Sequence, residues 1–279
     1  MKFSSPLPDC TFIPVDQIEI DAKKAYRDGT GCAEDWRSTP HHVVREIIMA
    51  YIRSCTMVFV LMATLAGCAG TSMIVHPNER IVFFGDSITE LGVKANGYVS
   101  LIREELGKRY PNEGIEIVGA GISGNKVTDL ESRLAKDILD RTPSIVVIYI
   151  GINDVWHWAL PNHTGTTRER FEQGLREIIA RIKYSGAEVI LCTPSVIGEK
   201  HDGTNTQDAA LEEYAAISRR IAADRGIHVC DLRKAFLSYL KEHNKENKEK
   251  DVLTSDGVHL NDAGNRLVAD ELLKFFEKK

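Results

Sequence analysis

The chain has 279 residues, of which 35 are basic and 40 are acidic, and its formal net charge is −5 at pH 7. Nucleic-acid-binding proteins present a basic surface, so this charge balance argues against a nucleic-acid partner. The chain contains neither a Cys-x-x-Cys nor a His-Glu-x-x-His pattern, and we therefore expect no metal and no cofactor.

An apolar run at residues 57–67 precedes Cys68. The run is shorter than the ~20 residues that a helix needs to cross a bilayer. Its length and the basic flank at Arg53 are typical of a secretory signal. Residues 65–68, Leu-Ala-Gly-Cys, resemble a bacterial lipobox. The pattern predicts lipidation of Cys68, which would place the protein at a membrane of the bacterial cell envelope. A periplasmic or secreted form is the alternative fate of an exported chain.

The position of this signal is unusual, because such signals begin at the N-terminus and 48 residues precede Met49. We therefore expect translation to start at Met49, and we assign no function to residues 1–48. Residues 49–67 are then the signal, residues 68–78 a tether, and residues 79–279 one folded domain. A buried core helix or a plain membrane anchor is the alternative interpretation of the apolar run.

From residue 80 onward, short apolar runs alternate with amphipathic segments. Strands are predicted at residues 81–84, 115–118, 144–150, 187–192 and 227–230. Helices are predicted at residues 97–110, 127–139, 168–184 and 209–225, and from Asn261 or Asp262 to about Phe276. This alternation predicts an α/β fold, namely a single-domain doubly wound parallel sheet with helices on both faces.

Ser87 follows the first predicted strand, at the sheet edge where open α/β folds bind their ligands. A serine hydroxyl needs a histidine to take its proton, and that histidine needs an acceptor to fix its tautomer. Asp256 and His259 are three residues apart, a spacing that puts both side chains on one face of a single turn. Gly124 can offer a backbone N–H, and Asn153 a side-chain amide, to a developing negative oxygen.

These residues lie in four blocks that together resemble the SGNH, or GDSL-type, hydrolase family. The blocks are Gly-Asp-Ser-Ile-Thr at 85–89, Gly-Ile-Ser-Gly-Asn at 121–125, Gly-Ile-Asn-Asp at 151–154 and Asp-Gly-Val-His at 256–259. The resemblance covers about residues 79–277 and implies a five-stranded, flavodoxin-like three-layer sandwich. It also implies site roles. Ser87 is the nucleophile, His259 the base and Asp256 its partner, with an oxyanion hole formed by the N–H groups of Ser87 and Gly124 and the Asn153 amide.

Residues 119–124, Gly-Ala-Gly-Ile-Ser-Gly, also match the dinucleotide-binding pattern G-x-G-x-x-G. In that fold an acidic residue about 20 positions further on holds the ribose. The next strand here ends about 30 positions further on, at residues 151–153. Nucleotide binding would also leave Ser87 and the Asp256–His259 pair without a role, so we expect a strand-to-helix turn instead.

Trp156 and Trp158 follow the third block, and we expect them to line the rim of the site and stack on sugar rings. Packing beneath the loop is the alternative. We expect the polar loops at 160–167 and 195–207 to shape the substrate site. The pattern around residues 151–156 most resembles the carbohydrate-acetylesterase branch of the family, which implies removal of small acyl groups, above all acetyl, from a small-molecule or glycan ester. The alternatives are lysophospholipase-, lipase- or thioesterase-like activity on longer acyl chains, and an inactive carbohydrate-binding lipoprotein.

Overall fold

A computed structural model of the chain describes residues 73–277. The segments predicted as signal, Cys68 and the proposed start at Met49 lie outside the described residues. Five parallel strands form the central sheet, namely β2 (Arg80–Gly85), β3 (Glu116–Gly121), β4 (Ile145–Tyr149), β5 (Glu188–Cys192) and β6 (His228–Cys230). Their order across the sheet is β3-β2-β4-β5-β6. The predicted parallel sheet and its flavodoxin-like strand order are confirmed.

Eight α-helices accompany the sheet within residues 73–277. They are α1 (Ser87–Gly92), α2 (Tyr98–Arg109), α3 (Val127–Asp137), α4 (Ile152–Trp156), α5 (Arg168–Tyr184), α6 (Asp208–Arg225), α7 (Leu232–His243) and α8 (Asp262–Leu273). Helix α2 contacts α8, which also contacts α7, while α5 packs between α3 and α6. These two groups of helices make the outer layers of the sandwich. Among the described residues, no helix combines the length and the apolar character that crossing a membrane requires.

The core of the domain lies along β2, β4 and β5. All five residues of β4 are buried, and so are the last five of β2 and the last four of β5. A strand that is covered on both faces needs apolar side chains at consecutive positions, because alternate residues point to opposite faces. The run Ile145–Tyr149, Ile-Val-Val-Ile-Tyr, meets that requirement. The fully buried strands fix one rigid sheet, whose carboxyl edge carries the loops described below.

A second pairing lies apart from the central sheet. Strand β1 (Met73–Ile74) pairs in parallel with β7 (Phe276–Glu277), immediately after helix α8. Helix α8 ends at Leu273, three residues before the predicted end at Phe276, because the chain there becomes extended and joins β1. The segment expected to act as a tether, residues 68–78, therefore contributes a short strand from Met73 onward.

Candidate active site

Three parallel strands bring the candidate residues to one edge of the sheet. In the strand register, Gly85 of β2 lies opposite Gly121 of β3 and Tyr149 of β4. Ser87, Gly124 and Asn153 follow these three strand ends within four residues. Because the strands are parallel, all three segments leave the sheet on the same side, at the edge where α/β folds bind ligands.

Ser87 is the first residue of helix α1, and Asp86 caps that helix. The Asp86 carboxylate accepts a hydrogen bond from the Ile88 N–H at 3.0 Å, as N-cap residues do. The Ser87 residue is only 8% exposed. The turn from strand to helix therefore holds the serine at the sheet edge, partly shielded from solvent.

The glycines of the G-x-G-x-x-G pattern have a packing role in this turn. A Cβ added to Gly119 would lie 2.2 Å from Val93 Cγ1, and one added to Gly121 would lie 2.1 Å from the Glu90 N atom. Real Cβ atoms essentially never come this close to other atoms. Helix α1 and the residue that follows it therefore lie directly against β3, which explains these two glycines without a nucleotide.

Ser87, His259 and Asp256 form a continuous hydrogen-bonded chain. The distance from His259 Nε2 to Ser87 Oγ is 3.0 Å, and the distance from His259 Nδ1 to Asp256 Oδ2 is 2.7 Å. With Nδ1–H donating to the carboxylate, Nε2 is left to accept the serine proton. The structure thus brings together two parts of the chain that are 172 residues apart.

The Asp256 carboxylate is held by its own turn. Its Oδ1 atom accepts hydrogen bonds from the backbone N–H groups of Val258 at 2.9 Å and His259 at 2.8 Å. Partial burial acts to raise the pKa of the Asp256 carboxyl. The hydrogen bonds from the His259 side chain and from the two N–H groups outweigh this and hold the pKa below its ordinary value. The carboxylate therefore stays ionised, in the state that orients an imidazole.

Gly124 and Asn153, the two other expected oxyanion donors, follow β3 and β4 at the same edge of the sheet. Gly124 has a positive φ of 77°, a conformation that favours glycine, and a Cβ added there would meet nothing within 4 Å. Within residues 73–277, no acceptor pairs with the N–H of Ser87 or of Gly124. The buried Asn153 amide donates to the Asn125 carbonyl at 3.0 Å, which fixes the orientation of the amide beside the Gly124 loop.

Two buried carboxyl groups near the site are not evident from the sequence. Burial raises the pKa of Asp86 to about 7, with a further increase from the nearby Asp154 carboxylate. Burial likewise raises the pKa of Asp154 to about 6, against hydrogen bonds from the Thr166 side chain and the Val127 N–H. Both residues sit beside motif residues, but only the three-dimensional packing shows that water does not reach them.

The two tryptophans have different surroundings. The Trp156 ring meets the His259 ring edge to face, with 6.4 Å between their centroids. Trp158 is 40% exposed and donates from Nε1 to the Thr166 carbonyl at 3.2 Å. A Cβ added to Gly165 would lie 2.3 Å from the Trp158 ring, so that ring lies flat on its own loop. Trp156 thus borders the site, whereas Trp158 packs against the 160–167 loop.

A polar cavity of about 310 Å³ lies against the turn that carries Asp256, and neither Ser87 nor His259 lines it. Trp156 and Asp256 line it together with residues of the 195–207 loop, namely Ile197, Gly198, Lys200, Thr204, Asn205, Thr206 and Gln207. Gln207 Nε2 donates to the Val155 carbonyl at 3.0 Å, which ties this loop to α4. Among the described residues, no cluster of His, Cys, Asp and Glu side chains is arranged to hold a metal ion.

A parallel α/β sheet with a hydrogen-bonded Ser–His–Asp chain at its carboxyl edge defines an α/β serine hydrolase. Residues 83–267 match the model of the GDSL-like Lipase/Acylhydrolase family, and the chain belongs to that family. It is a carboxylic ester hydrolase of the SGNH type.

Three comparisons describe its relatives. An acetylxylan esterase from Geobacillus stearothermophilus is 31% identical over 217 residues, which are 72% of this chain and 95% of that protein. The crystal structure of the acetyl xylan esterase AlAXEase is 44% identical, with a TM-score of 0.68, and the match covers 70% of this chain and 98% of that one. The uncharacterized lipoprotein YqeF of Bacillus subtilis is 25% identical, over 76% of this chain and 93% of its own length.

Proposed function

We propose that the protein removes acetyl groups from a carbohydrate through an acyl-serine intermediate, with Ser87 as nucleophile. The observation that carries this proposal is the chain of hydrogen bonds from Ser87 through His259 to Asp256, at 3.0 and 2.7 Å. A serine so paired is activated by transfer of its proton to the histidine. The relatives named acetylxylan esterase support the choice of an acetylated glycan as substrate.

Acylation begins when His259 Nε2 takes the Ser87 proton and Oγ attacks the ester carbonyl. The negative charge that develops on the carbonyl oxygen is met by the N–H groups of Ser87 and Gly124 and by the Asn153 amide. Asp256 stabilises the imidazolium. His259 then protonates the departing sugar oxygen, and the acetyl group stays on Ser87.

Deacylation repeats these steps with water as the nucleophile. His259 Nε2 takes a proton from a water molecule, which attacks the acetyl-serine carbonyl and forms a second tetrahedral intermediate. The same donors hold its oxyanion. Collapse returns the proton to Ser87 Oγ and releases acetate, so the triad ends in its starting state.

We infer that the leaving group extends into the polar cavity beside Trp156 and Asp256. Its lining includes Lys200, Asn205 and Gln207, and Trp156 presents an aromatic ring next to His259. Hydroxyl groups of a sugar can pair with such side chains, and an aromatic ring can stack on the sugar. A long acyl chain would need an apolar channel, which this cavity does not offer.

Chain-length preference tests the proposal. We expect hydrolysis of 4-nitrophenyl esters to be fastest for acetate and to fall with longer chains, and we expect acetate release from acetylated xylan. The Ser87→Ala variant should lose at least about 10⁴-fold in kcat/KM, while Ser132→Ala, an exposed serine on α3, should not. Peak activity on long chains would favour the lipase- or thioesterase-like alternative, and an active Ser87→Ala would refute the assignment of the nucleophile.

We further propose that the protein is exported and lipid-anchored at Cys68, after translation from Met49. The lipobox-like pattern and the similarity to a protein named as a lipoprotein support this proposal. Metabolic labelling with a radioactive fatty acid should mark the wild-type protein and Cys230→Ala, but not Cys68→Ala. Intact mass of the native product should show no residue from 1–48, and detection of any of them would contradict the proposed start.

A further inference from the structure

Glu199 is a completely buried carboxylate in the 195–207 loop. Its Oε1 atom accepts hydrogen bonds from the Leu253 N–H at 2.7 Å, the Thr254 N–H at 2.5 Å and the Thr254 hydroxyl at 2.7 Å. Its Oε2 atom accepts from the Val252 N–H at 2.8 Å. Four donors from three consecutive residues thus converge on one side chain.

These residues lead directly into the turn that carries Asp256 and His259. The Thr254 hydroxyl oxygen accepts from the Gly257 N–H at 3.1 Å. On the other side of the turn, the Gly198 N–H donates to the Gly257 carbonyl at 2.8 Å. Residues 198 and 199 therefore hold the turn at two places, through backbone at Gly257 and through the carboxylate at residues 252–254.

The charge of Glu199 is balanced by N–H and O–H dipoles. No Lys or Arg in the described range forms an ion pair with it. Successive backbone N–H groups can surround an anion in this way, and hydrogen bonds to an ionised acceptor are about twice as strong as neutral ones. A neutral amide of the same shape has a single acceptor oxygen, so its NH₂ group would face the Val252 N–H.

We propose that Glu199 is a positioning residue, which holds the Asp256–His259 turn at the distance where the imidazole reaches Ser87. The inference rests on the proposed role of His259 as the base. Glu199 does not contact the reacting atoms, and it acts through Thr254 and the turn. Since a small misplacement of a catalytic group lowers the rate strongly, loss of this contact should lower kcat much more than it changes KM.

The test replaces Glu199 by Gln in the full-length protein. We expect kcat for 4-nitrophenyl acetate to fall by about 10- to 100-fold with KM within about 2-fold, and the downfield ¹H NMR signal of the His259 Nδ1–H to shift or broaden. The matched control is Glu242→Gln, an exposed carboxylate on α7, which should change neither quantity. A folded Glu199→Gln with wild-type kcat and an unaltered signal would overturn the proposal.

A second variant covers the case in which Glu199→Gln fails to fold. Thr254→Val keeps the shape and the backbone N–H but removes the hydroxyl that links Glu199 to Gly257. We expect an intermediate fall in kcat, and wild-type kcat in this variant would contradict the proposal. The NMR signal is independent of turnover. If Ser87→Ala stayed active, the proposed function would fail, while the signal would still report whether Glu199 positions the imidazole.

Discussion

The Asn153 side chain is held in place by the loop that follows β3. Its amide donates to the Asn125 carbonyl at 3.0 Å and is 3% exposed, so it is already ordered before any substrate arrives. A donor that is fixed in advance costs no reorganisation when charge develops on the substrate. This ordering is the reason to expect that Asn153 acts on the transition state more than on substrate binding.

We therefore predict that Asn153→Ala lowers kcat by about 10²- to 10³-fold, with a smaller change in KM, as for loss of one oxyanion donor. Steady-state kinetics on 4-nitrophenyl acetate measures both constants. The control is Gln173→Ala, an exposed amide on α5, which should keep wild-type kinetics. If Asn153→Ala raised KM and left kcat unchanged, the amide would bind the ground state and the assignment would be wrong.

The candidate site residues could be predicted because each occupies a short motif whose chemistry is local. Asp256 and His259 are three positions apart, and their pairing is a property of one turn. Glu199 gave no such signal, because its partners lie 53 to 55 positions away. The same holds for Asp86 and Asp154, whose neighbouring residues are visible in the sequence but whose burial depends on the whole packed edge of the sheet.

Among the elements, long helices were predictable and short ones were not. Helix α5 was predicted at its observed bounds, because Phe171, Leu175 and Ile182 recur at helical spacing and are buried. Helices α1 and α4 have six and five residues, too few for a period to show. Helix α7 was not predicted. Strand β3 runs three residues beyond its predicted end, through Gly119–Gly121, because pairing with β2 outweighs the poor strand propensity of glycine.

The close packing of α1 against β3 predicts that a larger residue at position 121 destabilises the protein. In Gly121→Ala, the new Cβ would lie 2.1 Å from the Glu90 N atom and 2.5 Å from the Thr89 carbonyl carbon, so backbone must move. We expect a loss of about 1–3 kcal/mol in the free energy of unfolding, as for overpacking. We also expect a lower kcat, because α1 begins with Ser87. Urea unfolding and kinetics on 4-nitrophenyl acetate measure the two effects.

Gly107→Ala is the matched control on α2. A Cβ there meets nothing within 4 Å, and alanine in a helix is favoured over glycine by about 0.5–1 kcal/mol. This variant should be at least as stable as the wild type and equally active. Wild-type stability and activity in Gly121→Ala would show that α1 does not lie against β3 as described.

At the scale of the whole domain, segments that are far apart in sequence pack together at the carboxyl edge of the sheet. This packing buries two carboxyl groups, those of Asp86 and Asp154. Asp86 precedes the serine, Asp154 follows Asn153, and the Asp154 charge adds to the raised pKa of Asp86. Asp154 holds the Val127 N–H at the start of α3, at 3.2 and 3.3 Å, and so links the second and third motif blocks. Two buried carboxyl groups that have no part in the proposed mechanism thus hold the starts of α1 and α3.

Stability should consequently depend on pH through Asp154. Burial raises its pKa from 3.8 to about 6 in the folded state, with Lys126 acting in the opposite direction. Between about pH 4 and pH 6 the folded protein retains a proton that the unfolded chain has lost, so the free energy of unfolding falls as pH rises through this range. The contribution of the protonated Asp154 carboxyl to the free energy of unfolding is fully present below about pH 4 and is lost above about pH 6. Its total size is on the order of 3 kcal/mol.

Asp154→Asn should remove this dependence, because asparagine can still accept from the Val127 N–H but does not ionise. We predict that the free energy of unfolding of the wild type, minus that of Asp154→Asn, falls as pH rises from about 4 to about 6. Burial, the main cause of the raised pKa of Asp86, is common to both proteins, but Asp154→Asn also removes the smaller effect of the Asp154 charge on Asp86. The test therefore uses the range from about pH 4 to about pH 6, below the pKa of Asp86. Urea unfolding at half-unit steps of pH measures this difference, with Asp140→Asn, an exposed carboxylate, as the control whose difference should stay flat. A difference that is constant across the range would mean that Asp154 is ionised in the folded protein throughout, and that Lys126 and the hydrogen bonds from Thr166 and Val127 outweigh its burial.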